Sequence, residues 1–405
     1  MKFDELKRTS AETADFISGE TARTAEDISD RVAGSVAEAD TAEYMAGLLS
    51  AAGADVRTEI FPVAPAAAFG WIGVTVVCML LAFAAYFFVS MVSVALIIVA
   101  FVPFIVQGVL CSRAFDGAYV KGTSQNVTAV LPCEGEVKKR VFFTAHTDAA
   151  KIFRPQIKDR GRLLAAAAII SLLGAAYLLA ADIARWAYLG SVGTGLARGE
   201  WLAVGLVGIV FVPFWGLCLF AIDPKTVSPG ANDNLSGCFV AVALIKALAE
   251  KGIKLRSTEV GVILTGAEEC GLRGAKAWCD AHAEEYKGTE TYFFTLDTLR
   301  DAEHLKVQDR DLNGLQKLDK DAVSLFFVAA KKAGAECAKG GAGFGATDAA
   351  AFAAAGLKAA SVTAMKPFAE YYHTERDSAD NTDAALLEKC FLAAVQVVEE
   401  LDGAE

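Results

Sequence analysis

Between Ile60 and Ser112 the chain carries no charged residue, a run of 53 positions. One bilayer crossing takes about 20 apolar residues as a helix, so the block is long enough for two crossings with a tight turn near Ser90–Ser93. Two shorter blocks follow: Leu163–Ala181 has 19 uncharged residues and Trp201–Ile222 has 22. Each suffices for one more span, and four spans are expected. A buried core helix is the competing reading, and it competes best for the short, Ala-rich 163–181 segment. The spans divide the chain into an N-terminal part (1–62), a membrane hairpin (63–112), a middle part (113–162), a membrane pair (163–222) and a C-terminal part (223–405). They also supply much of the 54% apolar content.

An even number of spans places the three polar parts on one membrane side. Lys and Arg beside the spans indicate which side that is. Arg57, Arg113, Lys121, Lys151, Arg154, Lys158, Arg160, Arg162 and Lys225 fall with the polar parts, whereas only Arg185 and Arg198 are expected in the opposite loop. Nine against two predicts a multi-pass cell-membrane protein whose polar domain is cytoplasmic. Met1–Lys7 is polar, and no signal-peptide core is expected there. The nine cysteines are odd in number, Cys78 and Cys218 fall inside expected spans, and no spacing suggests a disulfide or zinc-ribbon framework. A net charge of −11 argues against nucleic acid as a partner.

Outside the spans, strand-like and helix-like stretches alternate. A helix is expected at Thr41–Ala52, a strand at Asp55–Pro62, and a hairpin from Asn126–Leu131 and Lys139–Ala145 around Pro132–Gly135. Asn234–Glu250 has helical periodicity, with Asn232, Asp233 and Asn234 as capping candidates. Strands are expected at Thr258–Thr265, Thr291–Asp297 and Ala359–Ala364, with helices near Gly274–Glu284, Asp319–Ala333, Asp348–Ala355 and from Thr382 to about Leu401. The layout is α/β, with a mostly parallel mixed sheet flanked by helices and four transmembrane helices inserted into it.

Chemistry-bearing residues gather at the ends of these strands, where open α/β sheets place their sites. His146 and Asp148 end the apolar run Val141–Ala145, and Asp233 lies in Gly230–Gly237. Glu268 and Glu269 follow Val260–Leu264, Asp297 closes Tyr292–Leu296, and His373 follows Tyr371 and Tyr372. Imidazoles and carboxylates in this mixture suit a divalent-metal hydrolase, which needs one carboxylate to bridge and one left free as a base. Singly, each motif reads as a turn, a cap or a solvated helix start. Jointly they do not, because two of only four histidines fall within them. His282 and His304 fit no motif and are read as surface residues.

The ordered series His146-Thr147-Asp148, Gly230-Ala231-Asn232-Asp233-Asn234, Glu268-Glu269, Asp297 and Tyr372-His373-Thr374 resembles the zinc-dependent aminopeptidase family. That family also includes glutamate carboxypeptidases, glutaminyl cyclases and non-catalytic transferrin receptors. The likeness covers roughly residues 36–62, 121–150 and 228–401. It implies the zinc exopeptidase fold and two Zn2+ ions, one held by His146 and Asp297, the other by Glu269 and His373, with Asp233 bridging. It further implies that Asp148 orients His146, that Glu268 is the general base, and that Tyr372 is a candidate donor to the oxyanion. A peptide is the implied substrate. Two departures stand out. Asp233 lies 85 positions after Asp148, with two expected spans in the gap, and Gly345-Ala346-Thr347-Asp348-Ala349 replaces the usual Ser-Asp-His of relatives. Asp348 is nevertheless a candidate substrate contact.

An aminopeptidase-type, membrane-embedded exopeptidase is therefore expected. A glutaminyl-cyclase-like acyltransferase and a non-catalytic membrane scaffold are the alternatives, and bound zinc per chain separates them. Short tethers to the spans lead to the expectation of a site near membrane lipid, acting on peptides at the cytoplasmic leaflet, with Lys151–Arg162 against anionic headgroups. Peptide specificity and oligomeric state are not encoded in any motif.

Overall fold

The structure, a computed structural model, describes residues 3–403 apart from 156–160, 191, 193, 342 and 344. Lys158 and Arg160 of the basic stretch lie outside the described residues. In chain order the first elements are α1 (Asp4–Arg8), α2 (Ser10–Asp27), α3 (Val36–Ala51), β1 (Asp55–Val63), α4 (Ala67–Tyr86) and α5 (Ser90–Pro103). Next come β2 (Gly122–Leu131), β3 (Lys139–His146), β4 (Lys151–Phe153), α6 (Gly161–Leu189), α7 (Glu200–Val207), α8 (Val212–Leu219) and β5 (Ile222–Val227). Then follow α9 (Ser236–Glu250), β6 (Thr258–Thr265), α10 (Arg273–Tyr286), β7 (Glu290–Leu299), β8 (Leu305–Gln308), β9 (Arg310–Asp311) and β10 (Gln316–Lys317). The last are α11 (Lys320–Lys332), β11 (Ala338–Gly340), α12 (Asp348–Ala354), β12 (Lys358–Ala364) and α13 (Ala384–Gly403). The chain divides into two compact units, one of Met1–Pro65, Val120–Ile152 and Lys225–Glu405, the other of Ala66–Tyr119 and Phe153–Pro224.

The first unit is built on an eight-stranded sheet in the order β1-β2-β6-β3-β7-β12-β8-β11. Its four central strands, β6, β3, β7 and β12, run parallel. Their apolar runs do not alternate with polar residues because both faces are covered, as parallel sheets require. Phe142 and Phe293 stack at 5.3 Å on one face, where Phe352 of α12 joins Phe293 at 5.0 Å. Their chain neighbours Phe143 and Phe294 turn to the other face, where Phe326 of α11 meets Phe294. This is the period-two alternation of a strand. Helix α9 is buried along nearly its whole length between the sheet and α2 and α13.

Asn126–Leu131 and Lys139–Ala145 do not form the expected hairpin. Strand β6 lies between them, antiparallel to β2 and parallel to β3. The connection instead bonds to the segment leading into β6: Glu134 N donates to Leu255 O and Gly135 N to Arg256 O, each at 2.9 Å. β6 is buried on both faces from Val260 to Thr265, so an interior slot suits it and an edge would not. Nor is α9 capped by the residues expected to cap it. Asp233 and Asn234 have non-helical backbone angles, and the Asn232 amide bonds to Asp377 and Asn381 instead. The helices α1 and α2 had no counterpart in the sequence reading.

Among its described residues the second unit contains four helical stretches long and apolar enough to cross a membrane: Ala67–Tyr86, Ser90–Val109, Gly161–Leu189 and Glu200–Leu219. At most 22% of each stretch is buried, so their apolar side chains face outward, as lipid-facing helices require. Val76, Met79, Tyr86, Ile97, Leu178 and Trp215 fill the interior between them. The third stretch continues past Ala181 to Leu189. Arg185 therefore lies inside a helix and not in the far loop. Its guanidinium donates from Nη1 to Tyr86 O at 2.8 Å and from Nη2 to Gly195 O, so carbonyl oxygens receive two of the three nitrogens of this buried cation.

Candidate metal centre

The C-terminal ends of the parallel strands bring the motif residues together. His146 is the last residue of β3, Asp297 lies in β7, Glu268 and Glu269 occupy the turn after β6, and His373 follows β12. Asp233 comes from the kinked segment ahead of α9, across the cis Asp233–Asn234 peptide. His146 Nε2 stands 3.2 Å from Asp233 Oδ1, and His373 Nε2 stands 3.2 Å from Asp233 Oδ2. Glu269 Oε1 is 3.4 Å from the same His373 nitrogen. One carboxylate thus turns one oxygen to each imidazole.

Among the described residues, three sets of donor atoms lie within 4.8 Å of one another: His146, Asp233 and Asp297; Asp233, Glu269 and His373; and His146, Glu268 and Glu269. The first two share Asp233. These nitrogen and oxygen donors, with no thiolate among them, suit zinc or a similar divalent ion. The charge balance points the same way. Asp233, Glu268 and Asp297 are all less than a tenth exposed, and buried carboxylates need cations. In the protein alone the imidazoles take that part. Burial would lower the His373 pKa, but Glu269 and Asp233 outweigh it and hold the ring up at about 10. His146 is likewise held well above the histidine range by Asp148 and Asp233, against its burial. Burial opposes ionisation of Asp233, yet the two imidazoles hold its carboxyl below the usual range. Burial and the nearby Asp233 push Asp297 up to about 7, and burial with Glu269 pushes Glu268 well above the usual range.

The surrounding residues fix this geometry. The Asp148 carboxylate accepts from the backbone N–H of Glu268 at 2.9 Å and of Glu269 at 3.1 Å, and sits 3.4 Å from His146 Nδ1. The His146 ring is also 3.1 Å from the Asp148 carbonyl. Tyr372 stacks on the His373 ring at 4.0 Å. Burial, then Asp233 and Glu269, push its hydroxyl well above the tyrosine range, so it stays protonated and able to donate. Asp348 is buried at the start of α12, where it accepts from Thr265 Oγ1 and offers no exposed contact. His282 pairs with Glu59 at 2.7 Å, and His304 is exposed.

Three buried charges carry no motif and went unread in the sequence. Asp377 accepts from the backbone N–H groups of Asn232 at 2.8 Å and Asp233 at 3.0 Å. Glu38 accepts from Ala267 N at 2.8 Å and from Ser124 Oγ at 2.8 Å, gripping the turn that carries Glu268. Arg31 is 1% exposed and donates to four carbonyl oxygens, those of Thr147, Ile28, Pro229 and Gly230. Asp377, four residues past His373, had one available signal: it shares a loop with a ligand candidate.

A model of Peptidase family M28 matches residues 221–398 of the chain. No curated protein matches it in sequence. Among solved structures, a zinc aminopeptidase from Bacillus subtilis is similar at a TM-score of 0.56 and 16% identity, covering 98% of this chain and 95% of that one. An aminopeptidase from Aneurinibacillus sp. strain AM-1 gives 0.56 and 15%, covering 97% and 93%. A Bacteroides thetaiotaomicron glutaminyl cyclase bound to N-acetylhistamine gives 0.54 and 15%, covering 96% and 97%. The eight-stranded mixed sheet and its helices match the zinc exopeptidase fold of these neighbours.

Proposed function

We propose that the protein is a membrane-embedded di-zinc exopeptidase of aminopeptidase type. The observation that carries this reading is the Asp233 carboxylate, which turns one oxygen to each of two imidazoles and belongs to both donor sets. The family match spans Asp233, Glu268, Glu269, Asp297 and His373, and so supports it. His146 and Asp297 would hold one zinc, Glu269 and His373 the other, and Asp233 would serve both. Zinc, when bound, supplies Lewis acidity toward a peptide carbonyl and makes a neighbouring water more acidic.

The chain's own groups do the rest. Glu268, 8% exposed, takes a proton on its carboxylate from the attacking water and returns it to the leaving amine nitrogen. Its backbone N–H is held by the Asp148 carboxylate, which fixes the position of the main chain that carries it. The Tyr372 hydroxyl donates to the oxygen that becomes negative. The four outward-apolar helices anchor this unit in the cell membrane with the peptide site on the cytoplasmic side, a reading supported by the Lys and Arg bias, to which Arg185, near the end of its helix, and Arg198 run counter.

The test is the detergent-solubilised protein assayed for bound zinc and for hydrolysis of aminoacyl and N-blocked peptide reporters, with and without chelator. About two zinc per chain and chelator-sensitive release from free N-termini are expected. One zinc with cyclisation of N-terminal glutamine would assign it instead to the chemistry of its glutaminyl cyclase neighbour. No zinc and no turnover would make it a scaffold.

A further inference from the structure

Two of the segments that supply donors to the metal centre are tied together by one residue outside every motif. The loop after β3 carries His146 and Asp148, and the segment ahead of α9 carries Asp233. Arg31 reaches both. Its Nε donates to Thr147 O at 3.3 Å, between His146 and Asp148. Its Nη2 donates to Pro229 O at 2.8 Å and to Gly230 O at 3.2 Å, on the approach to Asp233. Its own carbonyl accepts from Ala149 N at 2.9 Å, so backbone and side chain both hold the first loop. The remaining Nη1 donates to Ile28 O at 3.2 Å, which anchors the guanidinium to its own segment.

The second loop is shaped to admit this group. Gly230 has φ +62, and a Cβ there would meet Arg31 Nη2 at 2.7 Å and Asp233 O at 2.7 Å. Glycine therefore serves both the left-handed turn and the close approach of the guanidinium. Asp377 holds the following amides of Asn232 and Asp233 from the other end. A lysine could not replace this arrangement, since only a planar fork delivers several fixed donors at once.

We infer that Arg31 is a positioning residue that sets the separation of the His146 and Asp233 loops, and with it the affinity of both metal positions. The zinc part of this inference rests on the proposed function; the loop-clamping part does not. The experiment uses the full chain in detergent as wild type, Arg31→Ala and Arg31→Lys. Hydrogen exchange is followed on the metal-free protein, and zinc affinity by competition with a chromophoric chelator. Both variants are expected to exchange faster at 147–150 and 228–233, with β7 and α13 unchanged. Zinc affinity should fall by about 10–100-fold at both positions together, the usual loss when groups behind metal ligands are removed. Millimolar guanidinium ion should restore zinc binding to Arg31→Ala but not to Arg31→Lys, whose own ammonium fills the space.

Wild-type exchange in both segments would overturn the inference, and so would faster exchange spread evenly through β7, which marks a general structural role. If Arg31→Ala fails to fold, the same comparison is decided by Arg31→Lys. If wild type binds no zinc, the proposed function falls, while the exchange comparison still decides whether Arg31 clamps the loops.

Discussion

Glu268 and Glu269 are adjacent in the chain, yet only Glu269 lies in a donor set with His373. Glu268→Gln should keep full zinc occupancy and lose about 10²–10⁴-fold in turnover, the usual worth of general-base help. Metal analysis beside a peptidase assay checks this, and a near-wild-type rate would remove Glu268 from the role. The imidazoles give a pH prediction. In the metal-free protein His373 is held at about 10, above its ordinary 6.5. A raised folded-state pKa stabilises the fold fully below the unfolded value, and that contribution is lost as pH rises toward the folded one. Zinc must displace the same proton, so its affinity should rise with pH through this window and its binding should release protons. Calorimetry in buffers of different ionisation enthalpy measures the release; an affinity flat between about pH 6 and 8 would contradict it. The ligand candidates were legible in the sequence because imidazole and carboxylate have recognisable chemistry at strand ends. Arg31 and Glu38 were not. Nothing in a charged residue's own neighbourhood tells whether it will be buried, and both take their meaning from partners more than 80 positions away.

At the scale of elements, the turn after β6 is the tightest part of the site. A Cβ on Gly266 would meet Ser124 Oγ at 2.2 Å, Gln125 O at 2.7 Å and Glu38 Oε1 at 2.7 Å. Gly266→Ala should therefore cost about 1–3 kcal/mol of stability. It should also lower turnover and zinc content together, because the displaced backbone carries both Glu268 and Glu269. Gly47, in α3 with nothing within 4 Å of such a Cβ, is the control. Gly47→Ala should leave stability unchanged or raise it by up to about 1 kcal/mol. Thermal unfolding of both variants settles the contrast, and equal losses would mean the turn is not tightly packed. Strand existence was readable from apolar runs bounded by turns, but strand pairing was not. Two neighbouring runs joined by Pro132–Gly135 look like a hairpin from within the segment. Only β6, made more than a hundred positions later, reveals the gap it fills.

The whole molecule is legible at its coarsest level: uncharged blocks announced four helices, among the described residues, that are long and apolar enough to cross a membrane. Arg185 was misplaced because a charge shielded by carbonyl oxygens can sit inside such a helix. Sidedness is open to direct measurement. A cysteine introduced near Arg198 should react with an impermeant reagent in intact cells, and one placed at Lys332 should react only after lysis. The reverse pattern would invert the assignment. The threading of the chain also sets a timetable. A ribosome delivers β3 with His146, then residues 153–224, and only afterwards Asp233 and β6. Until β6 arrives, β2 and β3 have no strand to join them. The four stretches that are long and apolar enough to cross a membrane, among the described residues, have been synthesised by then. The apolar helices therefore leave the ribosome before the two donor sets that share Asp233 can be completed.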